Sequence, residues 1–293
     1  MARTRNLGNL TDLLTAGSTY VTTASPPLND NSQNLATTAW VMGQVSGVVG
    51  STRNLAASLL SAATSLTVTA DEIIVETSLG GPRYCIGNFN KTLNVTTTGA
   101  GGMDTGSAPT SGFVGIYAIY NPSSNTSALL ATNATSTAAP NVYGGTSMPS
   151  GYTASALLAV WPTNSSAQLV AGFHQERRFS LQAGASLTLS TGGTGTINLA
   201  TYSIPLNAKT VRIQNVLNCT GTSPNADLYF APNSNWGAQF NQKTGANAGN
   251  ETGTVFDVTT ADVDILTPQS IYYNLTVGAG TVVCNVGFFG YTI

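Results

Sequence analysis

"VRIQNVLN" (211–218) sets Val211, Ile213 and Leu217 on alternating positions, with Arg212 and Gln214 between them and Asn218 after. Successive side chains of a strand point to opposite faces, so this period predicts a half-buried antiparallel strand. "YYNLTV" (272–277) alternates in the same way. Outward from these two, similar runs fill the last third of the chain: "TINLATYSIPL", "KTVRIQNVLNCTG", "ADLYFAP", "TVFDVTT", "QSIYYNLTVGAG" and "TVVCNVGFFGYTI". About six to eight strands in such a length fit an antiparallel β-sandwich of jelly-roll type.

The same period governs the middle of the chain. "SLTVTADEIIVET", "PRYCIGNFNKTLNVTT", "GFVGIYAIYN", "ASALLAVWP" and "QLVAGFHQERRFSL" are β-branched or aromatic runs separated by Gly, Pro, Asn and Ser. "TSALLATNATSTAAP" (126–140) reads as either a strand or a helical turn. A Gly- and Ser-dominated seam at "SLQAGASLTLSTGGTG" (180–195) marks an expected boundary. The fold class is therefore mainly β, with a β-rich shaft or shoulder over 51–180 and a sandwich over 181–293.

Residues 1–50 are different. Leu10, Leu13 and Leu14 suit a short helical piece, after which Pro26 and Pro27 exclude helix. Asn31 or Ser32 then caps an expected helix through "QNLATTAWVMGQVSGVV" (33–49). Val41, Val45 and Val48 share one stripe of it, beside Leu35, Ala39, Met42 and Val49. So short an apolar helix is marginal alone, and copies of itself around an axis are its economical partners. This segment is expected to trimerise the chain and attach it.

Only 8% of the 293 residues are charged, against about 25% in ordinary soluble domains. Neutral hydrogen-bonding groups take their place, as on extracellular β-proteins and particle surfaces. A net charge of -2 argues against duplex nucleic acid, which needs clustered cations. No apolar run is long enough to insert in a membrane, and Asn9, Thr11 and Asp12 interrupt any signal-peptide core. Synthesis in the cytoplasm without processing is the expectation. The three cysteines, Cys85, Cys219 and Cys284, lack metal-ligand spacing. Cys219 and Cys284 fall in apolar runs and read as buried free thiols; a bridge between them stays open, because sequence does not give their separation.

Chemistry has little material. His174 is the only histidine, so any triad or Cys–His dyad must use it, yet no GxSxG phrase accompanies it. It reads as a structural histidine at an interdomain or intersubunit contact. Asp262 and Asp264 share one strand face, with Asp257 nearby, while Asp71 and Glu72 point oppositely. A two-carboxylate glycosidase is conceivable there, but solvated strand-end carboxylates are the simpler reading. "GAGG" (99–102) and "STGGTGT" (190–196) lack the Lys-Ser/Thr ending of a phosphate loop and read as turns or joints. No catalytic residue, cofactor or metal is expected.

Aromatic residues concentrate in the final unit: Tyr229, Phe230, Trp236, Phe240, Tyr272, Tyr273, Phe288, Phe289 and Tyr291. Trp236 stands apart in the long polar excursion "PNSNWGAQFNQKTGANAGNETG" (232–253). An indole amid Asn233, Asn235, Gln239 and Asn241 suits stacking on a sugar ring with amides for its hydroxyls. An indole tucked under its own loop or into a subunit contact is the alternative.

"LTAGSTYVTTASPPLNDNSQNLATTAWV" (14–41) resembles the N-terminal phrase of tailed-bacteriophage fibre proteins, where an Asn/Asp-rich cap precedes an Ala-Thr-Thr-Ala-aromatic-Val helix start. "GFVGIYAIYNPSSNTSALLATNATSTAAPNVYGGTSMPSGYTASALLAVWP" (112–162) is similar to a domain of prophage tail fibres. Family members often repeat the N-terminal phrase, and its single copy here implies a short fibre or a stub. The resemblance implies a homotrimeric virion protein, held by tail or baseplate proteins at its N-terminus and attached to a host-surface glycan. A short polysaccharide-depolymerase tailspike and a structural adaptor docking another fibre protein are the rival readings.

Overall fold

The computed structural model describes residues 15–16, 21–22, 47–245 and 252–293. Two-residue strands β1 (Thr15–Ala16) and β2 (Val21–Thr22) pair antiparallel. The middle unit holds β3 (Thr52–Arg53), β4 (Ala56–Leu59), β5 (Ser65–Glu76), β6 (Arg83–Asn94), β7 (Phe113–Asn121), β8 (Thr126–Asn133), β9 (Ala154–Pro162) and β10 (Gly172–Gln175). Then follow β11 (Arg178–Leu189), β12 (Gly193–Asn198), a 3-10 turn (Leu199–Tyr202), β13 (Thr210–Ala231), β14 (Phe240–Gly245), β15 (Thr252–Asp264) and β16 (Ser270–Thr292). The chain is mainly β, and its named strand pairings are antiparallel.

In the middle unit β10, β4, β5 and β6 lie side by side, with β3 also on β5. Alternation sends Leu66, Val68 and Ala70 inward and Thr67 and Thr69 outward. A second group, β8–β7–β9, is paired to this sheet through Glu76 opposite Ser155. Residues 154–162 are buried throughout, as expected of a strand covered on both faces. Ile116, Ala118 and Trp161 face the main core, while Phe113, Tyr117 and Val160 face a smaller one under Tyr143, Met148 and Tyr152. Residues 126–133 settle as a strand, paired along β7.

The C-terminal unit is a sandwich built on two long bent strands. The first half of β13 lies between β15 and the second half of β16, which in turn pairs with β11. Its second half lies between β14 and the first half of β16, which pairs with β12. The orders are thus β15–β13–β16–β11 on one side and β14–β13–β16–β12 on the other. Burial parity shows how one strand serves both. Val211, Ile213, Leu217 and Cys219 face the core at odd positions, whereas Ala226, Leu228 and Phe230 do so at even ones. The register breaks between Thr220 and Asn225, where the extra residues turn the strand and reset its faces. Pro224 falls inside that break, where no ladder bond to β16 is required of it.

One continuous core runs through both units. The expected boundary at 180/181 falls within β11, whose first residues pair with β10 and whose remainder belongs to the sandwich. Further bonds cross here. Asn207 Nδ2 donates to the Ala139 carbonyl at 2.8 Å, and its Oδ1 accepts from the Ala139 amide at 2.9 Å. The seam at 180–195 is mostly strand, with a break at 190–192.

Of the expected N-terminal helix, Leu35, Ala39, Val41, Met42 and Val45 lie outside the described residues. Its last turn is corrected: residues 47–50 form a turn, with Val48 71% exposed and Val49 buried. Gly50, at φ 78°, supplies a conformation no helix continues through. Its amide donates to the Ile74 carbonyl at 2.9 Å, which ties the turn to β5. Among the described residues, no helix is long and apolar enough to cross a membrane.

Candidate functional site

The β14–β13–β16–β12 face of the sandwich has an inner and an outer row structure. Inside, Gly195, Tyr273, Phe230 and Phe240 stand in one cross-strand row. One residue further along, the outward row is Thr194, Asn274, Tyr229 and Asn241. Beside it Thr196 is opposite Tyr272, which is opposite Ala231, and on the other side Thr276, Asp227 and Lys243 are aligned. Tyr229, Tyr272 and Asn274 are half-buried, and Thr194, Thr196 and Asn241 are exposed. The outward face therefore offers two tyrosines, two amides and two hydroxyls over four strands. Its one ion pair, Lys243 to Asp227 at 3.5 Å, lies to one side.

The turn 232–239 starts where this face ends, at Ala231 and Tyr272. Asn233 Oδ1 accepts from the Asn235 amide at 3.0 Å, and the Asn233 carbonyl accepts from the Trp236 amide at 3.3 Å. Asn233 is thus spent on shaping its own turn, as Asn commonly is. Trp236 (φ 60°) and Ala238 (φ 51°) are both left-handed. That conformation is rare for a bulky residue and marks strain held by the surrounding turn. The indole is half-buried and belongs to neither core. Asn235 and Gln239 are exposed on the turn.

Of the five residues expected to meet a receptor, only Asn241 joins the tyrosine row; Asn233, Asn235, Trp236 and Gln239 belong to the adjacent turn. Sequence reading missed Tyr229, Tyr272 and Asn274 as surface residues, since facing direction requires the register. It also read 240–245 as part of a polar loop, whereas these residues form β14. Gln242 and Thr244 are the inward residues there, so no apolar alternation signals the strand.

A smaller cleft of about 240 Å³ opens between the edges of β11 and β12, lined by Leu187, Leu189, Ile197, Tyr202 and Tyr273 among others. Tyr202 closes its floor by stacking on Phe288 at 4.1 Å.

The ionisable groups singled out in the sequence are dispersed. His174 is 3% exposed, and burial with the nearby Arg177 cation pushes it down to about 4. Asp262 is bound by Arg178 at 2.9 Å and Arg212 at 3.0 Å. Asp257 accepts from the Thr259 hydroxyl at 2.9 Å, and Asp71 from Asn54 at 2.5 Å. Glu72 accepts from the Cys85 thiol at 2.9 Å, which burial and that carboxylate push up to about 11. Cys219 and Cys284 are buried free thiols, as their apolar settings suggested, and burial pushes Cys284 up to about 12. Among the described residues, no cluster of three or more His, Cys, Asp or Glu side chains is placed to hold a metal ion.

In comparisons with known proteins, no family model matches the chain and no curated protein matches it.

Proposed function

We propose that the chain is a structural component of a phage-like tail fibre that attaches to a host-surface glycan through its C-terminal sandwich. The observation that carries this reading is the row Thr194–Asn274–Tyr229–Asn241, flanked by Tyr272 and the Trp236 turn. Tyrosine rings offer apolar faces to sugar C–H groups, and amides and hydroxyls meet the sugar's own hydroxyls. The sparse charge of this face suits a neutral ligand.

The fibre part of the proposal rests on the N-terminal phrase at 14–41 and on the strand order of the sandwich. Two four-stranded layers sharing two long bent strands in this order match a jelly roll, an architecture used by viral and lectin domains. Self-association as a homotrimer is part of the proposal. It is supported by the apolar group Phe256, Val258 and Val283, which are 69%, 52% and 39% exposed on the outside of the other layer. Exposed apolar groups of this kind commonly mark protein contacts. Three copies of a weak site multiply avidity when the spacing fits the target. The N-terminal segment is proposed to dock to tail or baseplate proteins, which places the chain in the virion, and no enzymatic step is assigned to it.

The test is adsorption of the full chain to a panel of bacterial envelopes, beside Tyr229→Ala and Trp236→Ala. Tyr229→Ala is expected to weaken adsorption at least tenfold, with Trp236→Ala weaker in effect. Undiminished adsorption by a folded Tyr229→Ala/Trp236→Ala double variant sinks the reading. Release of reducing sugar from the same envelopes would instead favour a depolymerase.

A further inference from the structure

We propose a second glycan-binding platform, on the outer face of the middle sheet around Phe173. Strands β10, β4 and β5 lie side by side, and their outward residues line a cleft of about 390 Å³. Phe173 lines it from the β10 side and is 52% exposed, although its neighbours Gly172 and His174 are buried. It stands opposite Ser58 on β4, and Gln175 stands opposite Ala56. Ala56 pairs in turn with Thr69 on β5, and Thr67 and Thr69 pair with Thr92 and Asn90 on β6. Ser58, Thr67, Thr69, Gln175, Asn90 and Thr92 are all exposed, so a band of hydroxyls and amides runs from one aromatic ring on β10 across β4 and β5 to β6.

Three features select the ligand. An exposed ring in mid-strand provides a flat apolar surface that only a partly apolar partner uses. The surrounding donors and acceptors are neutral, and few are consumed internally: Thr67 and Thr92 share one bond at 3.0 Å, and Thr69 makes a long one to the Ala56 carbonyl at 3.4 Å. Of the charges that flank the platform, Arg178 is paired with Asp262, and Asp71 accepts only from the neutral Asn54 amide, so the unpaired one is negative. A ring face beside uncharged polar groups matches a neutral saccharide, which has C–H faces and a rim of hydroxyls. An anionic sugar would find no free cation in the lining. The platform is on strands, so its geometry is fixed before binding and little ordering cost is added.

This site is separate from the tyrosine row of the sandwich, and the two are tested side by side. An array of neutral and acidic oligosaccharides is probed with the full chain, Phe173→Ala, Gln175→Ala and Tyr229→Ala. Phe173 and Gln175 are exposed, and thermal melting of each variant checks the fold. The expected result is a set of neutral glycans whose signal falls at least tenfold in Phe173→Ala, falls several-fold in Gln175→Ala, and persists in Tyr229→Ala. Loss in Tyr229→Ala alone would support the sandwich surface and overturn this platform. Absence of neutral-glycan binding by the unaltered chain, or binding confined to acidic glycans, would overturn it as well. So would a Phe173→Ala chain that keeps its glycan profile but changes its sedimentation, which would make this face a protein contact.

Discussion

The Tyr291 hydroxyl donates to the Val160 carbonyl at 2.5 Å, across the joint between the two units. Phe179 stacks on the same Tyr291 ring at 5.1 Å and meets Trp161 edge-on at 4.7 Å. A residue near the end of the sandwich is thereby bonded to the most buried strand of the middle unit. Tyr291→Phe leaves the stacking in place and strands a buried acceptor, which costs about 1–3 kcal/mol. Denaturant unfolding should show a lower midpoint for the whole chain. A drop confined to one of two separated transitions would mean that the units unfold independently.

His174 predicts a pH response. Its folded value is lowered to about 4 from an ordinary 6.5, because burial and Arg177 oppose its charged form. The unfolded chain therefore binds the proton more readily, and stability is full above about pH 6.5 and lost as pH falls toward 4. The loss amounts to about 3 kcal/mol at the lower end of that window. Melting temperatures between pH 7 and 4 should fall more steeply for the natural chain than for His174→Gln. Parallel slopes would show that the imidazole does not drive the response.

Asn215 is fully buried in the sandwich, and neither of its side-chain polar atoms has a hydrogen-bond partner. An unpaired buried amide costs about 1–3 kcal/mol, so Asn215→Leu is expected to stabilise the chain by an amount of that order. Urea titration reads it as a raised midpoint with an unchanged slope. Destabilisation would instead indicate a bound water or ligand satisfying the amide.

Gly280, at φ 91°, makes the bend of β16 possible. A Cβ there would stand 2.7 Å from the Thr220 carbonyl oxygen and 3.1 Å from Cys219 Sγ. Facing it, a Cβ on Gly221 would stand 2.8 Å from the Gly280 Cα. Gly280→Ala should cost about 1–3 kcal/mol through strain at this special conformation. A variant with unchanged melting would mean that the two strands bend elsewhere in solution.

Phe256→Ser with Val258→Thr removes the exposed apolar group of β15 without touching the core. If copies of the chain associate there, sedimentation should show a smaller species for the double variant. An unchanged species would show that this surface takes no part in association.

Most strands were legible for two reasons: alternation marks the start of β5, while β7 and β9 are short, largely apolar runs bounded by turn residues. Two features were not. "KTVRIQNVLNCTG" and "ADLYFAP" read as separate strands across Ser223 and Pro224, yet β13 passes through both as one bent ladder, because Gly221 and the register break absorb the turn. The tyrosine row was hidden for a different reason. Tyr229 and Tyr273 look equivalent in sequence, and only the parity reset at each bend decides which one faces out. Trp236 was legible as an unusual residue, while its left-handed backbone was not.

The first strand of the sandwich starts at Arg178 and its last strand closes at Thr292, and these two residues are paired neighbours on adjacent strands. Both ends of the unit therefore meet the middle sheet at one place, as in domains that tolerate insertion or exchange. Exchange of the segment between Glu176 and Thr292 would replace the entire sandwich as a cassette and leave the strands before it untouched. The joint sets what an incoming cassette must bring: a strand to pair with β10, a ring between Trp161 and a second aromatic, a donor for the Val160 carbonyl, and an amide for Ala139. The outward residues of the sandwich can then all change in one step while three aromatic rings and a hydroxyl keep the connection to the middle unit.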